Sequence, residues 1–125
     1  GRKGWHHSQK MNNDFYYDSA VEYIRMTQLD RDPKVEIWTK KHSIRIKYFK
    51  DYEREFVPDF FIRMKDGTIV LEEIKGWGSN TEEKKQAMLK YCRENKVIFR
   101  WLQKEDICSE REYRVTLDEL KKGNI

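Results

Sequence analysis

The chain has 125 residues, of which 38% are apolar and 38% charged, with a net charge of +4. Such a length fits one domain with a small core and a heavily charged surface, and the 14% of aromatic residues excludes a disordered chain. There is no apolar run of membrane-spanning length and no secretory pattern, and Cys92 and Cys108 are too few for a disulfide framework, so the expectation is a cytoplasmic protein with reduced thiols and no membrane partner. The excess of 26 basic over 22 acidic residues suits a nucleic-acid ligand without requiring one.

Residues 1–13 are polar and basic, show no period, and read as a flexible arm on a single domain spanning 1–125. His6 and His7 are adjacent and would point apart on a regular element, so they make a poor metal pair. Asp18 or Ser19 predicts a helix N-cap. Ala20, Val21, Ile24 and Leu29 then form an apolar stripe with Tyr23 and Met26 at its margins, and Pro33 ends the helix. Strands are expected at Val35–Trp38, Ile44–Tyr48, 55–64 and 68–75, the last two separated by the turn signal Lys65-Asp66-Gly67. Ser79 or Asn80 caps a second helix that carries Ala87, Met88, Tyr91 and Cys92 inward and ends near Asn95. A strand at 97–102 follows, and Thr116 to Glu119 opens a short terminal helix before Gly123. The order predicts an α/β fold, a mixed central sheet with a helix on each face.

The informative stretch runs from Pro58-Asp59 to Glu73-Ile74-Lys75. A three-residue loop at Lys65–Gly67, closed by glycine in the left-handed region, would pair Met64 with Thr68. Positions equidistant from Asp66 then face each other, which puts Asp59 opposite Glu73, about 5 Å apart at Cβ. Lys75 shares that face and Glu72 takes the other. Two carboxylates this close repel, and the natural compensation is a hard divalent cation, Mg²⁺ or Mn²⁺. A lysine beside such an ion can orient a water or stabilise charge on a phosphate, a set of parts that makes sense for phosphodiester hydrolysis. The bland alternative is an acid in a turn beside a surface ion pair. Against it, Glu73 and Lys75 lie among Val70, Leu71 and Ile74, in a strand that reads as buried.

Pro58-Asp59 followed by Glu73-x-Lys75 resembles the signature of the PD-(D/E)xK nuclease superfamily. The fuller strings Val-Pro-Asp-Phe-Phe and Leu-Glu-Glu-Ile-Lys-Gly resemble TnsA-like transposon endonucleases and small phage junction-resolving endonucleases, over roughly residues 18–107. The resemblance implies a restriction-endonuclease-like fold and a Mg²⁺- or Mn²⁺-dependent endonuclease acting on DNA. It implies metal ligation by Asp59, Glu73 and the Ile74 carbonyl, with Lys75 acting on the attacking water. It also implies Glu22 as a third acid, through the pattern Ser19-x-x-Glu22; a plain capping-box glutamate is the alternative. The segment Lys40-Lys41-His42 departs from the glutamine-containing stretch of a TnsA-like protein.

Lys85, on a helix that also carries Lys84 and Lys90, is read as a phosphate contact or as part of a solvated face. Trp77 would stack on a base or pack on the sheet, and Arg45 and Lys47, with His42, would line a DNA groove. Trp38 and Trp101 read as core. One site cuts one strand, so double-strand cleavage calls for a homodimer, a targeting protein or two visits. A catalytically silent DNA- or protein-binding module and an RNA endonuclease stand as alternatives.

Overall fold

The computed structural model describes residues 2–76 and 81–125. β1 (Gly4–Ser8) and β2 (Asn13–Tyr17) form an antiparallel hairpin ahead of α1 (Ala20–Arg31). After β3 (Val35–Thr39) comes a second hairpin, β4 (Ile46–Lys50) with β5 (Tyr52–Phe56), and then a third, β6 (Phe60–Met64) with β7 (Ile69–Ile74). The chain continues through α2 (Thr81–Glu94), β8 (Ile98–Leu102), α3 (Lys104–Ile107) and α4 (Glu110–Lys122). The central sheet has the order β3-β6-β7-β8. Its first three strands are antiparallel, and β8 joins β7 in parallel after the α2 crossover. This is the mixed α/β sheet flanked by helices that the element order predicts. Among the described residues no helix is long and apolar enough to cross a membrane.

The N-terminal segment is not the expected arm. Residues 4–8 are a strand, and the turn after them is tied to α1. Asp30 accepts hydrogen bonds from His6 Nε2 (2.7 Å), Ser8 Oγ (2.6 Å) and Trp38 Nε1 (2.8 Å). Lys10 Nζ donates to the carbonyls of Leu29, Asp32 and Val35 at 3.2, 2.7 and 2.8 Å. The last carbonyls of a helix lack intrahelical partners, and here a lysine supplies the missing donors. Polar residues were therefore a misleading guide: these ones dock the hairpin instead of solvating it.

Ser19 caps α1, its side chain accepting from the Glu22 N–H, as expected. Met26, expected at the margin of the stripe, is fully buried. The 55–64 run divides at Pro58 into β5 and β6, and β4–β5 forms its own two-stranded sheet. The terminal helix starts at Glu110, well before Thr116, because Ser109 already caps it by accepting from the Glu112 N–H.

Strand alternation splits the core into two faces. On one, Met26 and Leu29 of α1 and Leu120 of α4 meet Val35, Trp38, Phe60, Ile62 and Val70. On the other, Leu71 packs with Met88 and Cys92 of α2 and Ile46 of β4. Cys92 and Cys108 are free thiols. Glu72 shares the first face with Val70 and is completely buried. Its carboxylate accepts from Arg25 of α1 at 2.5 and 2.9 Å and from Arg100 of β8 at 3.1 Å, tying helix, centre strand and edge strand together. The same alternation sends Glu73 to the opposite face.

Candidate active site

The β6–β7 turn sets the site's geometry. Met64 N–H donates to the Thr68 carbonyl (2.8 Å) and Gly67 N–H to the Met64 carbonyl (2.9 Å), with Gly67 at φ +90°, where a side chain would be strained. The resulting pairs, Phe60 with Glu72, Phe61 with Leu71, Ile62 with Val70 and Arg63 with Ile69, are the register read from the sequence. One step further along, Asp59 meets Glu73. The Asp59 N–H donates to Glu73 Oε1 at 2.9 Å, and the Ile74 N–H donates to Asp59 Oδ2 at 2.8 Å.

The Pro58–Asp59 bend is held by His42. Its Nε2–H donates to the Pro58 carbonyl at 2.7 Å, while Nδ1 accepts from the Ile44 N–H at 3.2 Å. These two partners fix one neutral tautomer. His42, expected along a DNA groove, thus serves the loop that presents Asp59.

The acid pair is electrostatically frustrated. Burial, and then the Asp59 charge, push the Glu73 carboxyl up to about 9. Burial also raises Asp59, against the opposing pull of the Ile74 N–H and of Lys40. Burial and mutual repulsion thus raise both acids, and Glu73 the more clearly, so the pair favours holding a proton between them.

Asp59, Glu73, Ile74, Lys75 and Glu22 all line one cavity of about 820 Å³. Lys75 is exposed there, its main-chain N–H bonded to the Leu102 carbonyl at 2.7 Å. Glu22 is buried, and its Oε1 accepts from Lys40 Nζ, which also donates to the Tyr16 carbonyl at 2.6 Å. Asp59 and Glu73 thus come together while Glu22 has a cation of its own. Among the described residues no three carboxylate, imidazole or thiol groups converge closely enough to hold a metal ion.

Other expectations are redistributed. Lys84, not Lys85, lines the cavity, and its charge acts on Glu73. The spacing held this signal, because Lys84 is one helical turn before the inward-facing Met88. Trp101 is partly buried and packs against the Leu71–Met88 core, as expected, and it lines the cavity as well. Arg45 and Lys47 lie away from it, beside a depression of about 220 Å³ between β4 and α2. They pair there with Glu55 (3.3 Å) and Glu53 (3.4 Å). Trp77 and the expected cap at Ser79 or Asn80 lie outside the described residues. Lys40 was missed as a site residue. It lies just past the end of β3, where its ammonium reaches Glu22 of α1 and the Tyr16 carbonyl.

No protein-family model matches the chain, and no curated protein does. The cavity offers an oxygen-only acid pair suited to a hard cation, with Lys75, Lys84 and Lys104 along the same walls suited to an anionic partner. Lys104 is partly occupied by Glu110, 2.9 Å away.

Proposed function

We propose that the protein is a divalent-metal-dependent endonuclease of the PD-(D/E)xK type that hydrolyses DNA phosphodiester bonds. The observation that carries this reading is the Asp59–Glu73 pair, locked by reciprocal main-chain hydrogen bonds and holding a proton well above the ordinary carboxylate range. A folded protein that keeps two acids together at such a cost has a cation to receive there. The donors fit Mg²⁺ or Mn²⁺, which prefer oxygen and take one or two carboxylates. Asp59, Glu73 and the Ile74 carbonyl would hold the ion. When bound, it supplies positive charge that polarises a phosphoryl oxygen.

The chain's own residues supply the rest. Lys75, two positions past Glu73 on the same face, orients the attacking water and offsets charge developing on the phosphate. Lys84 draws the phosphate toward the acids from α2. His42 keeps the Pro58–Asp59 bend in place, so that Asp59 reaches its partner without rearrangement. One acid pair per chain cuts one strand, and duplex cleavage then requires a second copy, a protein partner or a second visit. The two buried thiols and the charged surface suit an intracellular setting.

The test is cleavage of supercoiled plasmid, a branched DNA junction and single-stranded RNA, each with Mg²⁺, Mn²⁺ or EDTA, for wild type and Asp59→Asn. The expected result is metal-dependent cutting of DNA that the substitution abolishes. Cutting of RNA alone would reassign the substrate. Binding of DNA without cutting, indifferent to metal and to Asp59→Asn, would make the protein a binding module and overturn the nuclease reading.

A further inference from the structure

Lys40 belongs to the segment that departs from the TnsA-like pattern, and the mechanism above does not use it. Its ammonium is pinned by two acceptors on different elements, the Glu22 carboxylate of α1 and the Tyr16 carbonyl of β2. The side chains of Lys40 and Glu22 are only 18% and 10% exposed, so this is a desolvated ion pair and not a surface one. Its charge also reaches Asp59, Glu73 and the exposed Asp18.

We propose that Lys40 is a built-in counter-cation of the acid cluster that withdraws Glu22 from the metal's ligand set, leaving a centre for a single divalent ion on Asp59, Glu73 and the Ile74 carbonyl. This rests on the nuclease reading and narrows it. Two independent observations agree. Geometrically, Glu22 does not converge with the acid pair into a three-ligand group among the described residues. Electrostatically, the Lys40 ammonium already offsets the Glu22 carboxylate in a desolvated pair, so Asp59 and Glu73 are the acids left for an incoming cation. An ion that recruited Glu22 would have to strip Lys40 of its carboxylate and leave a desolvated ammonium beside a dication, an arrangement that burial makes costly.

The experiment is calorimetric titration of Mn²⁺ into wild type, Glu22→Gln, Lys40→Met and Asp59→Asn, with circular dichroism to show that each variant is folded. Wild type should take up one ion. Glu22→Gln should keep that stoichiometry with an affinity within about threefold of wild type, whereas Asp59→Asn loses binding by a factor of about a hundred or more. Lys40→Met should bind Mn²⁺ about tenfold more tightly or take up a second ion, because a positive charge has left the site and Glu22 is released. Loss of Mn²⁺ binding in Glu22→Gln as severe as in Asp59→Asn would overturn the role given to Lys40 while leaving the metal centre standing. A wild type that takes up no Mn²⁺ would overturn both. If Lys40→Met does not fold, the comparison of Glu22→Gln with Asp59→Asn decides alone.

Discussion

The Asp59–Glu73 pair makes a definite statement about pH. Glu73 has an ordinary value of 4.5 and is pushed up to about 9 in the folded chain, so the folded state holds more protons than the unfolded state between those values. Its contribution to stability is fully present below about pH 4.5 and is lost as pH rises through about 9. In EDTA, the melting temperature should therefore fall between roughly pH 6 and pH 9. Asp59→Asn removes the neighbouring charge and should flatten that fall while abolishing cleavage. A variant with the same pH slope as wild type would show that the two acids are not coupled. The pair itself was legible in the sequence, because the hairpin register follows from loop length and from Gly67. What escaped was the support around it: His42 and Lys40 act through space across many intervening residues, and neither carries a local pattern.

Among the elements, the first hairpin is the clearest departure from the sequence reading. Its anchoring is apolar through Phe15 and Tyr17, which are buried in the main core, and polar through its turn. Lys10 alone donates to three main-chain carbonyls around the end of α1. Lys10→Met should cost about 2 kcal/mol of unfolding free energy, since hydrogen bonds to charged groups contribute somewhat more than neutral ones. Urea denaturation measures this, and an unchanged midpoint would mean that the hairpin is held by other contacts. Helices were easier to find than to delimit. Thr116 and Glu119 look like a capping box, yet Ser109 already satisfies the first N–H groups of α4, and the apolar Tyr113, Leu117 and Leu120 follow it at helical spacing. The choice between Lys84 and Lys85 turned on the same spacing, and Met88 was the reference that decides it.

At the scale of the whole molecule, the buried centre of the fold is ionic as well as apolar. Glu72 sits fully enclosed between Arg25 and Arg100, so one carboxylate joins α1, β7 and β8. Removing it strands two guanidinium groups, and Glu72→Ala should cost about 3–5 kcal/mol in urea denaturation. A loss under about 1 kcal/mol would mean that the arginines find water instead. Adjacent glutamates thus have opposite duties. Glu72 holds the layers together, and Glu73, one residue on and facing the other way, meets Asp59 in the cavity. The sequence distinguished the two faces by strand period, but the cavity needed the assembled fold, since its walls come from α1, the Asp59 bend, β7, α2, β8 and the α3–α4 region.

The central claim is that this acid pair exchanges a proton for a divalent ion. Mn²⁺ titration at pH 7.5, repeated in buffers of differing ionisation enthalpy, measures that exchange directly. About one proton should be released per ion bound, because Glu73 must ionise to become a ligand, and the release should vanish in Glu73→Gln together with binding. Mn²⁺ uptake with no proton released, or uptake undiminished in Glu73→Gln, would contradict the account.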